Sequence, residues 1–182
     1  MLYKSFLTLL ILFSFQAPPN DEAISWKDGM KLTWNHFKGA PKTNVNVAAV
    51  TASGISFQFS INETDSRVVN FSTQVFAHFY PNKSWYIKEK GDARILAHEQ
   101  LHFDITELHA RKFRKEIEQL KVSNKIREQL HSLNQKINQE LAATQNRYDS
   151  ETDSSLNFEK QAEWHTFVNK ELKKYEAYKS TD

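Results

Sequence analysis

The hydrophobic period of this chain changes once, near Asp92, and this change constrains the fold more than any other feature. Before it, mainly apolar residues alternate with polar ones in two runs, namely Ile55, Phe57, Phe59 and Ile61, then Val69, Phe71, Thr73, Val75, Ala77 and Phe79. A period of two residues is typical of half-buried strands, and a hairpin around residues 62–66 would join these two. From Asp92 onward the period is that of helices.

The sequence therefore predicts an α+β fold. A mostly antiparallel sheet within residues 21–91 would pack against a helical half formed by residues 92–182. Shorter strands are expected near residues 32–37 and 85–88. Helices are expected at about 92–120, 123–146 and 157–178, with Ser123 as the N-cap of the second. The link between the first two helices is short, so they should form an antiparallel pair.

The length of the chain, 182 residues, suits one compact domain, which we assign to residues 21–182. Before it, Lys4 precedes an apolar run at residues 6–15, a length typical of a signal peptide and too short to span a bilayer comfortably. Residues 1–20 are therefore predicted to be a signal peptide. Because Phe15 stands two residues before Ala17, where a small residue is preferred, an uncleaved anchor is the alternative. Both imply an exported, periplasmic or secreted, protein without further membrane insertion.

The charge balance and the cysteine content exclude several classes of function. Lys and Arg number 24 against 22 Asp and Glu, and a net charge of +2 is too small to favour nucleic acid as a partner. The chain has no cysteine, which excludes disulfides, thiolate metal sites and cysteine nucleophiles.

Residues 98–102 have the sequence His-Glu-Gln-Leu-His, an H-E-x-x-H pattern inside the first predicted helix. Residues at i and i+4 project from one helix face, so His98 and His102 can bind the same ion. Glu99 beside them is suited to take a proton from water. This pattern is typical of zinc hydrolases, and we expect one Zn2+ per chain. The alternative is a pair of core histidines hydrogen-bonded to the backbone.

The two sides of this helix differ in polarity. His98, His102 and His109 fall on the apolar side, and the opposite side, which is predicted to face solvent, carries Gln100, Asp104, Glu107, Arg111 and Arg114. An imidazole buried without a partner is costly, and a metal ion satisfies two at once. His109 would lie about 16 Å along the helix axis from His98, so we assign it to the core.

A catalytic zinc ion usually has three protein ligands, so a third must be found. Equal rise along the antiparallel pair places residues 142–146 beside residues 98–102. Asp149 and Glu151 follow directly after that point, and Glu140 falls on the apolar stripe of the second helix. We take Asp149 as the third ligand, with Glu151 or Glu140 as alternatives.

Five segments of the chain resemble a bacterial domain-of-unknown-function family, whose members are described as predicted secreted zinc-dependent proteases. The segments are residues 32–34 with Phe37, Gly39 and Pro41, then residues 48–51, residues 97–105, residues 148–152, and Gln161 with Trp164. Their order and spacing are more specific than the H-E-x-x-H pattern alone.

This resemblance implies an exported, zincin-like metallopeptidase domain with His98 and His102 as metal ligands and Glu99 as the base. In the family a histidine follows the threonine of the fourth segment by two positions, and this chain has Ser154 there. If that histidine is the family's third ligand, this chain has lost it. Asp149 or Glu151 would then replace it, or the site would be inactive.

The predicted function is that of an exported zinc-dependent metalloprotease, which cleaves peptide bonds with a metal-activated water. Glu99 would be the general base, and Tyr148 would donate a hydrogen bond to the developing oxyanion. The strand at residues 69–79 would line the cleft and pair with an extended peptide or protein substrate. The alternative is a catalytically inactive zincin-fold envelope protein that serves as a binding or structural module.

Overall fold

The computed structural model describes residues 22–42 and 47–180, so the predicted leader at residues 1–20 lies outside the described residues. Five strands are present in the described part, namely β1 (Ile24–Ser25), β2 (Ala49–Val50), β3 (Ser53–Thr64), β4 (Arg67–Phe79) and β5 (Trp85–Tyr86). They form two antiparallel sheets, one with the order β1-β4-β3 and one with β2 beside β5.

The hairpin of β3 and β4 follows the alternation of the sequence. Its turn consists of Asp65 and Ser66, which both have positive φ, at 50° and 61°. Such a two-residue turn matches the right-handed twist of the flanking strands. The predicted hairpin is confirmed, and its apolar face packs against the helices through residues such as Phe57, whose ring lies 4.7 Å from that of Phe113.

Two shorter predicted strands have different outcomes. Residues 85–88 form a strand only at Trp85 and Tyr86, and residues 32–37 form a 3-10 turn at Trp34–His36 instead of a strand. The Thr33 N–H donates to the Nδ1 atom of His36 at 2.9 Å. This local side-chain bond competes with pairing in a sheet, so the prediction of a strand at residues 32–37 was wrong.

The helical half contains α1 (Ala93–Glu118), α2 (Ile126–Thr152) and α3 (Phe158–Lys174), with a 3-10 turn at Glu176–Tyr178. Asp92 caps α1 by accepting a hydrogen bond from the Ile95 N–H at 2.7 Å, and Asn157 caps α3 in the same way. Within the described residues no helix is long and apolar enough to cross a membrane.

The bounds of α2 differ from the prediction at both ends. The predicted N-cap, Ser123, is wrong because Lys125 occupies the cap position without a side-chain bond, and the Ser123 carbonyl instead accepts a turn bond from the Ile126 N–H at 3.0 Å. At the other end α2 continues to Thr152, because Tyr148 and Thr152 extend its buried stripe. This extension brings the last turn of α2 beside α1.

The central helix, α1, is buried on nearly all sides, so its predicted solvent-facing side was wrong. The buried polar residues of that side are Gln100, Asp104, Glu107 and Arg111. Glu107 pairs with Arg111 and Arg114 of the same helix, and the other three have partners far away in the sequence. Asp104 accepts from the Trp26 Nε1 at 2.8 Å, and Arg111 donates to the Leu172 carbonyl at 2.7 Å. A polar helix face that is covered by such partners has the same sequence pattern as a solvated one.

A second, smaller cluster of buried apolar residues joins all three helices. It consists of Leu101, Ile105, Leu141, Tyr148, Trp164 and Val168. The larger cluster lies between the sheet and the helices α1 and α2. The smaller cluster therefore fixes the position of α3 against the part of α1 that carries the H-E-x-x-H pattern.

Candidate metal centre

Helices α1 and α2 bring three side chains of metal-ligand type together. His98 and His102 lie one turn apart on α1, and Asp149 lies in the last two turns of α2. The Asp149 Oδ1 is 3.1 Å from the His98 Nε2 and 2.8 Å from the His102 Nε2. The two Nε2 atoms are 3.1 Å apart. These three residues form a group that could hold a metal ion.

The other ring nitrogen of each histidine faces a glutamine. The His98 Nδ1 lies 3.0 Å from the Gln161 Oε1 of α3, and the His102 Nδ1 makes a short hydrogen bond to the Gln145 Oε1 of α2. The Gln145 Nε2 donates to the His102 carbonyl at 2.9 Å, which fixes the orientation of that amide. The Tyr148 hydroxyl lies 2.6 Å from the Gln161 Nε2 and 2.9 Å from the Gln161 Oε1. An amide oxygen only accepts, so each Nδ1 carries the ring hydrogen.

With the hydrogens on Nδ1, both Nε2 atoms present lone pairs to the same point as the Asp149 Oδ1. Three acceptors that converge in this way require a positive charge between them, either a metal ion or a proton on an imidazole that then donates to Asp149. In a tetrahedral site with ligands about 2.0–2.1 Å from the ion, the ligand atoms are roughly 3.3 Å apart. The observed separations of 2.8–3.1 Å are close to this value. Imidazole nitrogen with carboxylate oxygen therefore fits a divalent metal ion at this point.

The electrostatics of the metal-free group also favour positive charge. Burial alone would raise the pKa of Asp149, but hydrogen bonds from His102 and His98 outweigh burial and hold that pKa well below its usual range. Burial alone would lower the pKa of His102, but the hydrogen bond to Asp149 and the nearby charge of Glu99 raise it above the ordinary value. A proton therefore competes with a metal ion for the centre.

Tyr148 supports the ring of His98 from the side of α2. The two rings stack with their centroids 4.5 Å apart, and the Tyr148 hydroxyl donates to the His98 carbonyl at 3.3 Å. Burial raises the pKa of Tyr148, so the hydroxyl stays protonated. Tyr148 is fully buried and is not part of the cavity wall beside the centre. This placement favours a role in holding His98 over the predicted contact with an oxyanion.

A cavity of about 140 Å³ opens beside His98, His102 and Asp149. Residues 47–51 form its opposite wall, and Glu99 lies in the same wall as the histidines. The Glu99 Oε2 is buried and has no hydrogen-bond partner among the described residues. The strand expected to line the cleft, β4, contributes no residue to it within the described part of the chain. Residues 47–51, which include β2, take that place.

The alternative third ligands lie outside the group. The Glu151 carboxylate accepts from the Trp164 Nε1 at 2.8 Å, and Glu140 is exposed beside Lys136 at 3.8 Å. His109 is buried, with its ring between the Ile105 carbonyl at 3.0 Å and the Thr144 hydroxyl at 3.2 Å. Burial lowers the pKa of His109 to about 4, so it is neutral near pH 7. Among the predicted candidates, only Asp149 joins His98 and His102.

A comparison with known protein families shows to which family the chain belongs. The family model described as bacterial protein of unknown function (DUF922) matches residues 23–157. The chain belongs to the DUF922 family. No curated protein and no solved structure matches it significantly. The matched part of this DUF922 protein contains His98, Glu99, His102 and Asp149 and ends just before α3.

The segment after α2 gives this DUF922 protein an irregular cavity rim. Asp153, Ser154 and Ser155 all have positive φ, at 47°, 47° and 82°. Ser154 and Ser155 line the cavity, and Arg94 holds the segment by donating to the Ser155 carbonyl at 2.6 Å. The serine at position 154 is thus close to the centre, and Asp149 supplies the third atom of the group that could hold a metal ion.

Gln145 was not recognised from the sequence, and Gln161 only as part of the family resemblance. A signal for Gln145 existed, because Leu141, Gln145, Tyr148 and Thr152 follow one another at helical spacing along the side of α2 that faces α1. A glutamine at such a position needs a partner inside the protein. Gln161 lies in α3, and its partner, His98, is 63 positions away in the sequence.

Proposed function

We propose that this DUF922 protein is an exported zinc-dependent hydrolase of the zincin type, which cleaves peptide bonds. His98, His102 and Asp149 would bind the zinc ion, and the fourth position would remain open to the cavity. The observation that carries the proposal is the convergence of three acceptor atoms at 2.8–3.1 Å beside a buried, unpartnered oxygen of Glu99.

When bound, zinc supplies an electrophile that polarises a carbonyl and lowers the pKa of water. Among the protein's own residues, Glu99 transfers the proton. Glu99 lines the cavity, and no described residue donates to its Oε2, so the carboxylate can accept a proton from the attacking water and pass it to the leaving amine. The Thr51 hydroxyl donates to the Glu99 carbonyl at 3.2 Å and joins the cavity wall to α1 at this residue.

The part of the cavity lined by residues 47–51 suits an extended peptide. Within the described residues, β2 has one strand neighbour, β5. An extended substrate can therefore pair with the second edge of β2 through backbone hydrogen bonds, which demand little of its side chains. Val47, Ala48, Ala49 and Val50 present only small apolar side chains, so we expect a preference for apolar residues next to the cleaved bond.

The proposal is tested by the metal content of the purified protein. About one zinc ion per chain is expected after zinc is supplied and the excess is removed, and the double variant His98→Ala/His102→Ala should contain none. The matched control is His165→Ala, since His165 is an exposed histidine of α3. Zinc that remains bound in the double variant would place the ion elsewhere and end the proposal.

A second candidate function is a zincin-fold module of the cell envelope that binds metal or a partner without turnover. The presence of Ser154 in place of the family's histidine favours it. The two candidates differ in one measurement, because only the hydrolase loses an activity when Glu99 is replaced. Cell fractionation tests the export that both candidates share.

A further inference from the structure

We propose that Gln145 and Gln161 are positioning residues, which set the tautomer and the orientation of both histidines for the metal ion. This inference rests on the proposed metal site. The two residues come from different helices, and each accepts a hydrogen bond from the Nδ1 of one histidine. Outer residues of this kind determine how well a metal-binding ring is directed.

The tautomer matters because a neutral imidazole has its hydrogen on either ring nitrogen. Without an acceptor at Nδ1, the hydrogen can move to Nε2, where it blocks the lone pair that a metal ion needs. An amide oxygen at Nδ1 keeps the hydrogen there. His98 and His102 both have such an acceptor, so both Nε2 atoms are ready to bind the ion.

Gln145 is held at both ends of its amide. Its Nε2 donates to the His102 carbonyl at 2.9 Å and lies 3.3 Å from the Thr106 hydroxyl. The Gln145 Oε1 is therefore directed toward the His102 ring. Gln145 thus binds the backbone and the ring of the same residue, which fixes the ring relative to its own helix.

Gln161 closes a cycle of hydrogen bonds with Tyr148 and His98. The His98 Nδ1–H donates to the Gln161 oxygen at 3.0 Å, and the Gln161 amide donates to the Tyr148 hydroxyl at 2.6 Å. The single hydrogen of that hydroxyl has two acceptors, the Gln161 Oε1 at 2.9 Å and the His98 carbonyl at 3.3 Å. The ring of His98 is therefore fixed by α3 as well as by the stacked Tyr148 ring.

Both acceptors are uncharged, which distinguishes this centre from one that holds its histidines with carboxylates. Asp149 is then the single anionic ligand, so a divalent ion together with its three protein ligands has a net charge of +1. A carboxylate at Nδ1 would raise the basicity of the imidazole and strengthen its bond to the metal. The amides thus fix the rings without adding negative charge to the centre.

The test compares zinc affinity in three leucine variants of the full-length protein. Gln145→Leu and Gln161→Leu should each weaken zinc binding about 10–100-fold, measured by competition with a chromophoric chelator. Gln139→Leu is the matched control, because Gln139 is an exposed glutamine of α2, and its affinity should equal that of the wild type. Gln161→Glu restores an acceptor of the same shape and should bind zinc at least as tightly as the wild type.

A second readout separates positioning from simple loss of structure. In the zinc-loaded wild type, 15N NMR of the imidazole rings should show Nδ1–H and a bound Nε2 for both histidines, and Gln161→Leu should alter the signals of His98 alone. Wild-type affinity and unchanged ring signals in both leucine variants would overturn this inference and leave the zinc site standing. Failure of Gln161→Glu to restore affinity would also overturn it. A wild type that binds no zinc would overturn the proposed function as well.

Discussion

Glu99 lines the cavity and has one buried carboxylate oxygen, to which none of the described residues donates a hydrogen bond. A buried carboxylate without partners is costly, and active sites are where such costs are tolerated. His98, the residue before it, is directed by a glutamine and a tyrosine, whereas Glu99 is left free to move a proton. In the proposed hydrolase, this difference between two neighbours would separate metal binding from proton transfer along one turn of α1.

Glu99→Gln is expected to lower peptide hydrolysis by a factor of about 10²–10⁴, since the amide cannot accept the proton of water. Zinc content should stay at the wild-type level, because Glu99 is not one of the three converging residues. The measurement pairs elemental analysis with cleavage of a peptide library. Asp149→Asn is the control with the opposite pattern, as it should lose zinc. Zinc loss in Glu99→Gln would contradict the role assigned to Glu99.

The residues of the centre were predictable to the extent that their chemistry is local. His98, Glu99 and His102 stand within one helical turn, so spacing alone indicates them. The rise of two antiparallel helices pointed to the region of Asp149. Gln145 and Gln161 contact His102 and His98, which lie 43 and 63 positions away. No sequence pattern around a glutamine indicates a partner at such a distance.

At the level of elements, α1 depends on its first turn for its position. Asp92 accepts from the Ile95 N–H at 2.7 Å, and this bond is the main reason that the pKa of Asp92 lies below its ordinary value. The cap lies two turns before His98 and fixes the end of the helix that enters the site.

Asp92→Ala should lower the free energy of unfolding by about 1 kcal/mol, because it leaves N–H groups of the first turn without an acceptor. Asp92→Asn keeps an acceptor oxygen and should stay within a few tenths of a kcal/mol of the wild type. Denaturant unfolding of the metal-free protein measures both variants. Equal stability of the alanine and asparagine variants would show that the cap bond contributes nothing.

The elements also show where prediction from sequence ends. Alternation located β3 and β4 because a strand with one buried face has only one pattern. The prediction of a strand at residues 32–37 failed, because a bond between Thr33 and His36 decided the local structure. The prediction that the polar side of α1 faces solvent also failed, because Trp26 and the Leu172 carbonyl cover that side from distant parts of the chain.

For the whole molecule, a bound ion connects α1 to α2 at their far ends. Zinc should therefore stabilise the folded protein by mass action, by about 2.7 kcal/mol at a free concentration 100 times Kd. This corresponds to a rise of roughly 5–11 °C in the unfolding temperature for a protein of this size. Thermal unfolding with and without zinc measures the effect.

The size of this stabilisation should depend on pH. The pKa of His102 is raised in the metal-free protein, so a proton occupies the centre up to a higher pH than at an ordinary histidine. Zinc must displace that proton, and its affinity should fall as the pH drops through the His102 pKa. The zinc-induced shift should accordingly shrink from pH 8 to pH 5, and a shift that is constant over this range would contradict the assignment of His102 as a ligand.

The cluster that joins α3 to α1 and α2 lies partly outside the region that the family model covers. The match to that model ends at residue 157, but Trp164 and Val168 of α3 are buried against Leu101, Ile105 and Tyr148. A shorter chain that stopped at the end of the similarity would expose an apolar seam along α1 and leave the His98 ring without its acceptor. The part of the chain that the family model covers is therefore smaller than the part that packs together around His98.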